Sequence, residues 1–119
     1  MNQLIGVDLG GSALKLGRFS LAGELIAGLE VPTPQPSLPG AVTTAIVEAV
    51  QQLDPEHLAD RVGVGHPGPS DGAGRVARIA INLPGWQEVP LADWLEPLLD
   101  RRVTLANDAN CALIGEHWL

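Results

Sequence analysis

Two glycine breaks divide the first 31 residues, one at Gly10-Gly11 and one at Ala22-Gly23, and neither is long enough for a crossover. The apolar run Leu4-Ile5-Gly6-Val7-Asp8-Leu9 ends at the first break. Leu14, Leu16 and Phe19 follow it, and Leu25 to Val31 follows the second. Strands joined by such short turns run antiparallel, because a parallel return needs a dozen or more residues. The chain is therefore expected to open with a three-stranded antiparallel meander.

Pro32, Pro34, Pro36 and Pro39 then fall within eight residues. Proline lacks the N–H that a strand or helix interior needs, so this stretch reads as extended loop. Leu38, Val42, Ala45, Ile46, Ala49, Val50 and Leu53 repeat at helical spacing and predict a helix with one apolar face. Asp54-Pro55-Glu56 reads as the N-cap and first turn of a second, short helix. Val62 to Gly65 is a short strand running into His66-Pro67-Gly68-Pro69. Asp71-Gly72 marks a turn, and Arg75 to Ile81 reads as strand. Leu91, Trp94, Leu95 and Leu98 mark an amphipathic helix that Pro97 kinks or interrupts. Arg102 to Ala106 is the next strand, and Asn107 or Asp108 caps a final helix. A meander followed by crossover helices predicts an α/β fold, a mixed sheet covered by helices.

Charge narrows the partners. The 119 residues carry a net charge of −7, which repels a phosphate backbone and argues against nucleic-acid binding. A nucleotide would have to be held by backbone donors, a metal ion and a few Lys or Arg. Cys111 is the only cysteine, so no intrachain disulfide and no multi-cysteine zinc site can form within this sequence. The start lacks the basic region of a secretory signal, and no apolar run approaches the ~20 residues of a membrane span. A cytoplasmic protein with no membrane partner is the expectation.

Four segments carry chemistry. In Asp8-Leu9-Gly10-Gly11-Ser12, glycines at a strand–strand turn let the backbone approach a ligand and reach positive φ. Their N–H groups suit a phosphate. Ser12 adds a hydroxyl, and the Asp8 carboxylate suits Mg²⁺, directly or through water. Alone, the segment also reads as a plain hairpin turn. Gly63-Val64-Gly65-His66-Pro67-Gly68-Pro69 shapes a loop at a strand end, where α/β ligand sites form, or is an ordinary turn. His66 has no second histidine at metal-ligand spacing and reads as a loop residue. In Asn82-Leu83-Pro84-Gly85-Trp86, Asn82 offers a donor and an acceptor to a sugar hydroxyl, while Trp86 stacks on a sugar or covers the core. In Asn107-Asp108-Ala109-Asn110, one N-cap accounts for one polar residue and leaves the other two unexplained.

In this order the four segments resemble the N-terminal half of the ROK family, named for repressors, open reading frames and kinases, from Leu4 to the end of the chain. The resemblance implies a ribonuclease-H-like lobe of the actin and sugar-kinase superfamily. Asp8, Gly10, Gly11 and Ser12 match the family's first phosphate motif. Asn82, Asn107 and Asp108 match its sugar-hydroxyl ligands, with Asp108 as catalytic base, and Gly65 matches a backbone contact to the sugar. Ser12 stands where many members have Thr. Lys15 lies two residues beyond the commonest lysine position of the motif.

The resemblance further implies ATP with Mg²⁺ as donor, and a hexose as acceptor. Glucose is favoured because the Asn82–Trp86 and Asn107–Asn110 segments resemble those of bacterial glucokinases. N-acetylmannosamine, fructose and allose stay open, and so does polyphosphate as donor, since a Gly-Gly-Ser turn followed by Lys resembles the polyphosphate-dependent members. The family's second lobe supplies most of the nucleotide site and a cysteine-rich zinc motif, and neither lies in residues 1–119. Residues 1–119 are thus expected to form one N-terminal lobe, with a homodimer open for the full-length protein. With the first strand at residue 4, no helix-turn-helix precedes it, which favours kinase over repressor. A non-catalytic sugar-binding remnant or regulator fragment is the alternative.

Overall fold

A computed structural model of the chain describes residues 3–66 and 89–107. Strands β1 (Gln3–Leu9), β2 (Ala13–Ser20) and β3 (Leu25–Pro32) are followed by helix α1 (Pro39–Leu53) and strand β4 (Ala59–His66). Helix α2 (Leu91–Leu99) and strand β5 (Arg102–Asn107) complete the described elements. The expected strand over Arg75–Ile81, the segments Pro67–Pro69 and Asn82–Trp86, and Asp108, Asn110 and Cys111 with the final helix all lie outside the described residues.

The five strands form one sheet in the order β3-β2-β1-β4-β5. β1, β2 and β3 pair antiparallel as the expected meander, and β4 and β5 add to β1 in parallel. The sheet is therefore mixed, as the sequence predicted. Alternation along β1 separates its faces. Ile5, Val7 and Leu9 are fully buried, and they join Leu14, Leu16, Val62, Val64, Val103 and Leu105 in one core with both helices. Leu4, Gly6 and Asp8 take the opposite face and are only partly buried. On that face four glycines stand in register across the sheet, Gly28, Gly17, Gly6 and Gly63. The Phe19 ring folds over Gly17, where a Cβ would lie 2.7 Å from it.

Helix α1 buries Val42, Thr43, Ile46, Ala49, Val50 and Leu53. Leu38 is its N-cap residue and stays exposed, so it does not extend the predicted apolar face. Helix α2 keeps two residues of its expected stripe, Leu91 and Leu95, and replaces the other two. It buries Leu91, Ala92, Leu95 and Leu99, while Trp94 and Leu98 are 41% and 57% exposed. With the small Ala92 inward, α2 packs close to α1, and the bulkier Trp94 is left outside. Pro97 lies inside α2 rather than breaking it. It removes only the N–H that would bond the Asp93 carbonyl, and the helix ends two residues later.

The predicted helix at Asp54-Pro55-Glu56 does not form. Asp54 is the C-cap residue of α1, and Pro55 and Glu56 make a turn. The carboxylate prefers other donors to the first turn of a helix. Its Oδ1 accepts the Leu58 N–H and its Oδ2 the Ala59 N–H, each at 2.9 Å. Arg101, at the α2–β5 junction, reaches across to the same group. Its Nη2 lies 3.1 Å from Asp54 Oδ2 and donates to the Asp54 carbonyl at 3.2 Å. Its Nε and Nη1 donate to the carbonyls of Ala59 and Leu99, both at 2.9 Å. The side chains are 0% and 4% exposed.

Burial pushes the Asp54 carboxyl up, but the N–H groups of Ala59 and Leu58 and the Arg101 guanidinium outweigh it and hold the group below its ordinary value of 3.8. A carboxyl depressed in the folded state stabilises the fold above its unfolded value, and that contribution is lost as pH falls through the folded value. Asp54→Ala, which leaves Arg101 buried and uncompensated, should therefore cost about 3–5 kcal/mol at neutral pH. Urea unfolding of both proteins between pH 7 and pH 2 should show the gap narrowing in acid. A gap independent of pH would refute the charged state assigned to Asp54.

Candidate phosphate and sugar site

The parallel strands β1, β4 and β5 point the same way, so their carboxyl ends lie along one edge of the sheet. Register places Asp8 beside Gly65, Gly65 beside Ala106, and His66 beside Asn107. The chain leaves β1 toward β2 on one side, while β4 is followed in the sheet by β5 on the other. In open α/β sheets such a divergence opens a crevice at the strand ends, and ligands bind there. Of the residues singled out in the sequence, Asp8, Gly10, Gly11, Ser12, Gly65 and Asn107 share this edge. Asn82 and Asp108 lie outside the described residues.

The turn between β1 and β2 is held from behind. The Gly10 N–H donates to the Ala13 carbonyl at 3.1 Å. Thr33 Oγ1 donates to the Gly10 carbonyl at 2.8 Å, and the Thr33 N–H to the Ser12 carbonyl at 3.0 Å. Gln35 Nε2 donates to the Gly11 carbonyl at 2.9 Å. All three carbonyls of Gly10-Gly11-Ser12 are thus occupied. Among the described residues none accepts from the N–H of Gly11 or of Ser12. The turn therefore shows donors, and these with the Ser12 hydroxyl suit an anion.

Sequence reasoning missed Thr33 and Gln35. They sit among prolines in a stretch read only as loop. The one available signal was a pair of polar side chains two residues apart in a segment with few backbone donors, which says nothing about where they reach.

The glycines act differently from expectation. Among the described residues the only glycine at positive φ is Gly23, so neither Gly10 nor Gly11 is there for a left-handed backbone. Gly10 is required by space. A Cβ on it would lie 2.7 Å from the Ala13 carbonyl oxygen, whereas a Cβ on Gly11 would meet nothing within 4 Å.

Asp8 is partly buried on the face away from the helices. Its partner across the β1–β2 pair is Lys15, whose partner on β3 is Glu30. Lys15 is exposed and is the chain's only lysine. Among the described residues no three His, Cys, Asp or Glu side chains converge as metal ligands. The open groove lined by Asp60, Glu96, Asp100, Arg101 and Arg102 lies at the opposite edge, where β4 and β5 begin. Among the described residues no helix is long and apolar enough to cross a membrane.

Comparison with known proteins adds a second line of evidence. The profile of the ROK family matches residues 4–119. The chain is 34% identical over 116 residues to a glucokinase of Thermotoga maritima, covering 98% of this chain and 37% of that protein. It is 34% identical over 114 residues to an N-acetyl-D-glucosamine kinase of Vibrio vulnificus, covering 95% of this chain and 37% of the relative. Among solved structures, a ROK family glucokinase from Streptomyces griseus in complex with glucose and AMPPNP superposes with a TM-score of 0.87 at 31% identity, over 98% of this chain and 36% of that one. An inorganic polyphosphate/ATP-glucomannokinase from Arthrobacter sp. strain KM gives a TM-score of 0.85 at 33% identity, over 99% of this chain and 49% of that one. The chain thus spans little more than a third of the length of the two sequence relatives.

The unequal crowding of the two glycines makes a direct test of the turn. Gly10→Ala should destabilise the chain by about 1–3 kcal/mol, because the new methyl group meets backbone that must move. Gly11→Ala should change stability by no more than about 0.5 kcal/mol. Thermal unfolding of the two variants side by side checks this, and equal losses would contradict the turn geometry.

Proposed function

The chain belongs to the ROK family, and from that premise we propose that it is the N-terminal lobe of a hexose kinase, moving the γ-phosphoryl group of ATP to the 6-hydroxyl of a hexose, with glucose as first candidate. The observation that carries this reading is the meeting, at one sheet edge, of a donor-lined turn beside Asp8 with the carboxyl ends of β4 and β5. One part suits the phosphates of the donor, and the other suits the acceptor sugar.

Phosphoryl transfer needs positioning and charge stabilisation more than covalent chemistry. The N–H groups of Gly11 and Ser12 and the Ser12 hydroxyl hold donor phosphate oxygens. Gly10 keeps the turn compact enough for close approach. Mg²⁺ arriving with ATP would be held at the Asp8 carboxylate, directly or through water, and would neutralise charge on the phosphates. On the acceptor side, Asn82 and Asn107 orient ring hydroxyls and the backbone at Gly65 contacts the sugar. Asp108 accepts the proton that the 6-hydroxyl loses as its oxygen attacks the γ-phosphorus. Cytoplasmic placement, and a homodimer of the complete protein, belong to the same proposal.

A second donor has an observation in its favour. Lys15 follows the Gly-Gly-Ser turn, is exposed, and stands directly across from Asp8. A cation there suits a longer polyanion such as polyphosphate. Assaying a panel of hexoses with ATP and with polyphosphate decides both the sugar and the donor.

In an enzyme carrying this chain, Asp108→Asn should lower kcat by ~10²–10⁴ while leaving sugar affinity largely intact. Near-normal turnover would reduce Asp108 to a helix cap. The 119 residues alone should give no detectable transfer, because two lobes must close around the reactants to exclude water and assemble the site. Glucose, Mg²⁺ and ATP in a coupled assay with the purified chain test this. Turnover that Asp108→Ala removes would show that one lobe suffices.

A further inference from the structure

From the bonds behind the β1–β2 turn we infer that Thr33 and Gln35 are positioning residues for the donor phosphate, acting as a clamp that makes the Gly10–Ser12 turn an all-donor surface. The inference rests on the proposed role of that turn and adds the device that sets its polarity. A three-residue turn has N–H groups and carbonyls in equal number, and a peptide unit that flips exchanges one for the other. A carbonyl turned toward a phosphate would repel it. At this turn each carbonyl has its own donor: Thr33 Oγ1 for Gly10, the Thr33 N–H for Ser12, and Gln35 Nε2 for Gly11. With the carbonyls tied back, no peptide unit of the turn can rotate without breaking a hydrogen bond.

Thr33 is placed to hold its bonds. It is 3% exposed, directly after β3, and its backbone bond to Ser12 extends the β2–β3 ladder by one residue. Its hydroxyl is the donor that the Gly10 carbonyl receives at 2.8 Å. Gln35 is exposed, so its amide reaches the Gly11 carbonyl over the surface. Pro32 and Pro34 on either side of Thr33 and Pro36 after Gln35 fix φ at those positions and reduce the freedom of the segment that carries both donors. Thr33 gives its hydroxyl proton and its N–H to the turn, and Gln35 gives one amide N–H. They act through the turn.

The test uses the 119-residue chain, labelled with ¹⁵N, titrated with inorganic tripolyphosphate and separately with MgATP. In the wild-type chain the amide signals of Gly11 and Ser12 should move with both probes. Thr33→Val keeps the shape and removes the hydroxyl donor, and should weaken tripolyphosphate binding by roughly three- to ten-fold, the effect of one hydrogen bond. Thr33→Ser should restore wild-type affinity. Gln35→Ala, at an exposed position, should weaken binding and change the Gly11 amide most, and it tests the clamp even if Thr33→Val fails to fold. Thr43→Val is the control for a purely structural hydroxyl, since Thr43 Oγ1 donates only to the Pro39 carbonyl within α1, at 2.7 Å. It should lower Tm without changing the affinity. Wild-type affinity in Gln35→Ala and in folded Thr33→Val would overturn the clamp and leave the phosphate role of the turn standing. Absence of any shift at Gly11 and Ser12 in the wild-type chain would overturn both.

Discussion

The buried pair of Asp54 and Arg101 is the constraint from which the rest of the fold is measured. Parallel strands have no hairpin to set their register, so something else must fix where each begins. Here the first residue of β4, Ala59, has its N–H bonded to Asp54 and its carbonyl bonded to Arg101. Arg101 also immediately precedes β5 and caps the Leu99 carbonyl at the end of α2. Four element ends meet at one charge pair. Sliding β4 by a single residue would break this arrangement and would also turn Val62 and Val64 away from the core. A group at the base of the sheet thus ties the starts of β4 and β5 together, and their unbroken register carries that alignment to Gly65 and Ala106 at the top.

The same pair shows where sequence reasoning reached and where it stopped. The meander was legible because short glycine turns permit one answer, and α1 was legible because its apolar residues recur through fifteen positions. Asp54 was read as the start of a helix because Asp followed by Pro has that form locally. Its real partners, Leu58, Ala59 and Arg101, include one 47 residues away, and no local pattern reports such a distance. The α2 stripe held at Leu91 and Leu95 and failed at Trp94 and Leu98 for a related reason. Trp94 and Leu98 fit the helical period as well as Ala92 and Leu99 do, and only the space beside α1 decides between them.

The site divides in the same way. Asp8, Gly10, Gly11 and Ser12 were legible as a strand end and a tight turn, because an apolar run stops at two glycines there. The physical reason for Gly10 was not, since its need comes from the Ala13 carbonyl and not from φ. Thr33 and Gln35 were invisible because a loop's hydrogen-bond partners depend on where two separate strands end. A chain with one lysine and net charge −7 has little cationic side chain for an anion, and what the described β1–β2 turn offers one is backbone N–H groups.

The carbonyl contacts that shape the β1–β2 turn come from the segment just after β3, the outer strand of the sheet among the described residues. Among those residues it is bonded on one side only, and its own residues are partly or fully exposed. Edge strands sit low on the ladder of local opening energies, and they fray long before a core unfolds. The ion pair at the base secures β4, β5 and the ends of both helices but touches nothing in β3 or the turn. The turn's order is thus separable from the stability of the fold. A chain that melts sharply as a whole can still have a turn whose amides exchange with solvent whenever β3 peels back, and a binding partner that pins β3 would quieten those amides without raising the melting temperature by a comparable amount.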